Sequence, residues 1–114
     1  MITRKSLTIP IFGFRLKIFI FDDKKELLGY LPEEDLKLNF RGLSYGEPFS
    51  GTVAINSKCQ STITHEAVHI TDFVWKSIRY TPDRDNDEVT AYLLTYIYEK
   101  IYDVFIAHNN KKSL

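Results

Sequence analysis

Between residues 7 and 21 apolar side chains recur at every second position. Phe14, Leu16, Ile18 and Ile20 alternate with Arg15, Lys17, Phe19 and Phe21, which is the period of a β-strand. Both phases turn apolar towards the end, so the strand is expected to be covered on both faces there. Gly13 marks a turn or bulge between residues 9–12 and 14–21. Residues 22–25 are polar and suit a turn. Residues 27–40 read two ways. Pro32-Glu33-Glu34-Asp35 has the proline and acids of a first helical turn, whereas Leu36, Leu38 and Phe40 alternate as in a strand. A short helical turn leading into a strand satisfies both. Gly42, Gly46, Pro48 and Gly51 predict a loop over residues 41–51. Thr52-Val53-Ala54-Ile55 is a short β-prone run after it.

The period then lengthens. Ile63, Ala67, Ile70, Val74 and Ile78 fall on one face of a helix. Ser57 and Gln60 have the spacing of a capping box, and Pro82 forbids helix just before it, so the helix is predicted over residues 57–80. Asp85-Asn86-Asp87-Glu88 resembles another cap. It opens a second helix, predicted over residues 85–108, with Val89, Leu93, Tyr96, Ile97, Ile101 and Phe105 on its buried side. The polar tail after it should fray. The expectation is α+β: a small antiparallel or mixed sheet from residues 1–56, packed on two long C-terminal helices, in one domain spanning residues 1–114.

Composition changes this picture little. Lys plus Arg equals Asp plus Glu at fifteen each, which gives no global argument for nucleic acid or an anionic membrane as partner. Eight Phe and seven Tyr supply large side chains for a small core. The single cysteine, Cys59, permits no internal disulfide and fits a reducing compartment; it reads as small core filler. No apolar run approaches the roughly 20 residues that span a bilayer. Arg4 and Lys5 precede apolar residues, but Pro10, Arg15 and Lys17 interrupt them and no small-residue cleavage site follows. The chain therefore reads as unprocessed and cytoplasmic.

Chemistry enters at Thr64-His65-Glu66-Ala67-Val68-His69-Ile70. Histidines four apart lie on one helix face, a turn from each other, so both imidazoles can reach one zinc ion. Glu66, beside the first, can then take a proton from a water on that ion. Catalytic zinc usually has three protein ligands. Glu88 is the first candidate for the third, because the segment after His69 is long enough to end one helix and begin another. Asp72 is the rival ligand, or a hydrogen-bond acceptor that orients a histidine; its plainer role is an ion pair with Lys76. Glu88 can equally serve only to cap its own helix. Tyr92 is a candidate donor to a developing oxyanion, with Tyr80, Arg84 and Tyr96 behind it. His108 reads as a surface residue, and a strand edge near residues 52–55 offers a place for an extended peptide.

On His65, Glu66, His69 and Glu88 the chain resembles the gluzincin branch of zinc metallopeptidases. Glu88-Val89-Thr90-Ala91 is similar to the E-x-x-A run of several such enzymes, although Tyr92 replaces the acid that some carry four residues after the ligand. In size and layout the chain also resembles small zincin-like proteins of phages. The resemblance implies a zincin-like fold, Zn2+ held by His65, His69 and Glu88, Glu66 as general base, and a peptide or protein substrate. Two other readings stay open: a non-catalytic zincin-like accessory protein with a metal site, and an interaction module that holds no metal.

Overall fold

The computed structural model describes residues 1–83, 85 and 87–112. The chain is α+β: a four-stranded mixed sheet from the N-terminal half packs against two helices. Strands β1 (Ile2–Ile9), β2 (Phe14–Phe21), β3 (Gly42–Glu47) and β4 (Ser50–Asn56) lie in the order β1-β2-β4-β3. β1 pairs antiparallel with β2, β2 pairs parallel with β4, and β4 pairs antiparallel with β3. Helices α1 (Thr62–Ser77) and α2 (Glu88–Lys112) cover one face. Among the described residues no helix is long and apolar enough to cross a membrane.

The strand period assigns the two faces. Phe14, Leu16, Ile18 and Ile20 join Val53, Ile55 and the helix stripe Ile63, Ala67, Ile70 and Val74 in the main core. Phe19 and Phe21 point the other way and pack with Leu27, Leu31 and Leu36. These leucines come from residues 24–40, which form two short 3-10 turns, Lys24–Leu27 and Asp35–Lys37. The strand expected over residues 36–40 is therefore absent. Leu36 is buried while Leu38 is exposed, whereas positions two apart in a strand would share a face.

The predicted loop over residues 41–51 is instead the β3–β4 hairpin, turning at Pro48 and Phe49. Its glycines serve close packing rather than looseness. A Cβ on Gly42 would run into the Thr62 methyl, and one on Gly46 would run into the Phe73 ring. Gly42 and Gly46 thus let α1 settle on β3, which is the sheet's edge. β4, with residues 52–55, lies inside the sheet and offers no free edge.

Both helices begin later than their sequence signals. Ser57 is buried and its Oγ donates to Asp22 at 2.7 Å instead of capping α1. Asn56 holds the chain in a turn, its side chain accepting from Lys58 N–H at 2.9 Å. α1 ends before Pro82 acts. Tyr80 N–H reaches the Trp75 carbonyl and Arg79 N–H reaches that of Lys76, with Arg79 at φ 57°. This is the Schellman closure, and the Tyr80 ring packs on Trp75 with centroids 4.7 Å apart. α2 opens at Glu88, not residue 85; Asn86 of the expected cap lies outside the described residues.

Candidate metal centre

α1 presents a different surface in each direction. Ile63, Ala67, Ile70 and Val74 face the core. Trp75 faces α2, its indole N–H donating to the Thr90 hydroxyl at 3.1 Å. Thr62, Glu66 and Phe73 lean on β3 at Gly42 and Gly46. At about 100° per residue, His65 and His69 come next round the helix beyond Glu66, on the flank away from α2. Both are exposed, whereas Glu66 is buried beneath them.

The imidazoles point at each other. Nε2 of His69 lies 3.2 Å from Nε2 of His65, with ring centroids 4.8 Å apart. Oε2 of Glu66 lies 3.9 Å from the His65 Nε2. Among the described residues these three are the group of His, Cys, Asp or Glu whose donor atoms gather within 4.8 Å. Two nitrogens bound to one tetrahedral zinc at about 2.0–2.1 Å stand about 3.3 Å apart, so the observed separation suits a shared ion. It equally suits an N–H···N hydrogen bond between opposite tautomers.

The other expected site residues stand elsewhere. Glu88 is exposed in the first turn of α2, beside the Trp75 end of α1 through the Trp75–Thr90 contact. From His69 to Trp75 the axis rises about 9 Å, and the two face different flanks. Glu88 therefore does not join the histidine pair. The reason is that α1 and α2 form an antiparallel hairpin, so the start of α2 meets the end of α1. Asp72 is exposed and does not join the group either. Lys76, expected to pair with it, lies over the Phe73 ring at 5.9 Å.

Tyr92 is 74% exposed and lines a hollow with Ile11 and Phe12 of the β1–β2 turn, away from the pair. Tyr80 packs on Trp75, Tyr96 lies under the Lys100 ammonium, and Arg84 lies outside the described residues. Two features escaped the sequence reading. One is β3 itself, a free edge along the flank of α1 that bears the histidines. The other is a groove of about 790 Å³ one turn past His69, walled by Phe49, Phe73, Lys76 and Arg79. Small residues at alternate positions, Gly42, Ser44 and Gly46, were the available signal for a helix lying close on this strand.

His108 corrects the expectation of a surface residue. It is fully buried. Its Nε2 lies 2.9 Å from Oδ1 of Asp22 and its Nδ1 lies 2.8 Å from Oγ1 of Thr3. Asp22 also accepts from Ser57 at 2.7 Å and from Lys112 at 2.9 Å. Burial alone would raise the Asp22 pKa, but the hydrogen bonds from Ser57, His108 and Lys112 outweigh it and hold the carboxyl well below the usual range. An ionised carboxylate only accepts, so Nε2–H of His108 donates to it; in the neutral ring Nδ1 then accepts from Thr3.

No protein-family model, no curated protein and no solved structure matches the chain.

Proposed function

We propose that the chain is a zinc-dependent hydrolase acting on polypeptides, with His65 and His69 as metal ligands and Glu66 as general base. The observation that carries this reading is the convergence of two exposed Nε2 atoms at 3.2 Å above a buried glutamate. Imidazole donors suit zinc. Zinc bound there would acidify a water and polarise a carbonyl. The stem of the Glu66 side chain lies against Gly42 of β3, and one carboxylate oxygen lies 3.9 Å from the His65 Nε2. From there it takes the proton of an attacking water and hands it to the leaving amine. An extended substrate would add to the free edge of β3, with one side chain in the groove beyond His69. Two protein nitrogens leave coordination positions for water, substrate or a donor from outside this group. Cys59, which has no cysteine to pair with, is consistent with a cytoplasmic setting.

A second reading draws on the same geometry. With Glu88 remote, Glu66 can itself be the third ligand, its oxygen 3.9 Å from His65, and the protein then holds metal without catalysis. Zinc content and Glu66→Gln decide between them. The wild-type chain should carry one zinc per molecule after dialysis against trace metal, and His65→Ala none. As a base, Glu66→Gln keeps the zinc and loses cleavage of a casein or peptide-library substrate. As a ligand, Glu66→Gln loses the zinc. A wild-type chain that takes up no metal ends both readings.

A further inference from the structure

The sheet has a second face, away from the helices. Phe19, Phe21 and Ala54 are covered there by Leu27, Leu31 and Leu36. Beyond this cover, strand register sets Ser6, Lys17 and Thr52 side by side, and likewise Thr8, Arg15 and Ser50. Arg15 and Lys17 are exposed although β2 is an inner strand. Arg4, opposite Phe19 on β1, stands diagonally from Lys17, and its guanidinium lies 5.1 Å from the Tyr30 ring centre. Two hollows of about 520 and 330 Å³ open on this face, and Lys17 and Thr52 belong to the walls of both. Small-molecule sites span about 300–1,000 Å³.

Among the described residues Arg4, Arg15 and Lys17 form no ion pair. The chain has as many acids as bases, so these cations are not unpaired for want of carboxylates. Glu47, across β4 from Arg15, is the acid that shares a hollow with them, and it pairs with neither Arg15 nor Lys17. Like charges on neighbouring strand positions repel. A rigid sheet that gathers three of them, with hydroxyls between, is pre-organised for an oxyanion.

We propose that this face binds a phosphate ester of mononucleotide size. The phosphate sits against Arg15 and Lys17 with the Ser50 and Thr52 hydroxyls as further donors, and the planar ring lies by Tyr30 and Arg4. A phosphate carries close to two charges and three strong acceptor oxygens, which matches two cations flanked by hydroxyls better than a carboxylate does. A nucleic-acid strand is served less well. Single-strand platforms stack successive bases on several aromatic rings; among the described residues of this face Tyr30 is exposed, while Tyr45, in the wall of the smaller hollow, is half-buried with its hydroxyl donating to Asp35. The site lies across the sheet from α1 and does not depend on the metal reading.

The test is an amide NMR titration of the wild-type chain in chelator, using AMP, adenosine, inorganic phosphate and a short oligothymidylate. AMP should shift the amides of Arg4, Lys17, Tyr30 and Thr52, and phosphate those of Lys17 and Thr52 without Tyr30. Adenosine should shift none. Arg15→Gln with Lys17→Gln should weaken AMP at least about tenfold, since charge-assisted hydrogen bonds are lost, and leave the remaining amides in place. Adenosine binding as well as AMP, or AMP shifts absent or scattered over the surface, would overturn the proposal. So would oligothymidylate binding far more tightly than AMP at the same amides, which would assign the face to nucleic acid. If the double variant does not fold, the wild-type titration decides by itself.

Discussion

The chain's three histidines occupy two opposed settings. His108 is sealed in the core, and both its ring nitrogens have protein partners from other elements: Thr3 on β1 and Asp22 after β2. It ties the end of α2 to the sheet. His65 and His69 sit on an open helix flank and, among the described residues, find only each other and Glu66. Removing a buried polar partner strands the groups it satisfied, whereas removing an exposed one strands nothing. The buried histidine is thus accounted for by folding. The exposed pair contributes little to folding and keeps its nitrogens available to a ligand.

The largest effect should come from the buried side. His108→Ala leaves the Asp22 carboxylate and the Thr3 hydroxyl short of a partner and opens a cavity at the α2–sheet junction. It should cost about 3 kcal/mol in urea unfolding. His65→Ala and His69→Ala, measured in chelator, should each stay within about 0.5 kcal/mol of wild type. Asp22 adds a pH signature. Its folded pKa is depressed, so its stabilisation is complete above the unfolded carboxylate value of about 3.9 and is lost as pH falls below it. Asp22→Asn should flatten the acid limb of the stability profile and leave the neutral region parallel to wild type. Equal losses for His108→Ala and His69→Ala would erase the contrast between the two settings.

The next effect belongs to the exposed pair. Ligand that binds only the folded state stabilises it by about 2.7 kcal/mol at a hundred times its dissociation constant. Zinc should therefore raise the melting temperature of the wild-type chain. The rise should vanish in His65→Ala and His69→Ala, and acid should abolish it because protonated imidazole cannot ligate. A rise that survives either alanine variant would place the zinc somewhere other than this pair.

The elements differ in how far the sequence revealed them, and the reason lies in what each residue answers to. The alternation in residues 14–21 and the stripe Ile63, Ala67, Ile70 and Val74 report burial on one side of a regular element, and periodicity reads that directly. Both came out as expected, except that Ile78, the last expected member of the stripe, stands past the end of α1 and is exposed. Gly42 and Gly46 looked like loop residues because close approach between a strand and a helix needs the same absence of Cβ as a turn. Ser57 and His108 answer to Asp22, a partner 35 positions from one and 86 from the other, and no local pattern encodes such a partner. The His65–His69 pair was legible because one helix fixes its spacing. A third ligand from another helix was not, since it depends on which end of α2 meets which end of α1.

That dependence gives the smallest and most discriminating prediction. Glu88 lies at the Trp75 end of α1 and the histidines lie towards its start, on another flank. Glu88→Ala should change zinc affinity less than about twofold, a difference under about 0.5 kcal/mol. Asp72 is nearer in sequence, one turn after His69, and exposed. Its carboxylate stands outside the clustered donors; acting as a hydrogen-bond acceptor that orients a ligating histidine, it should make Asp72→Ala weaken zinc more than Glu88→Ala does. Competition with a chromogenic zinc chelator measures both. If Glu88→Ala proves the more damaging, α2 must slide along α1 when metal binds. The Trp75–Thr90 hydrogen bond would then break, and Trp75 fluorescence would change on adding zinc. Unchanged Trp75 emission together with an intact Glu88→Ala site would fix the helix hairpin as described and exclude Glu88 as a ligand.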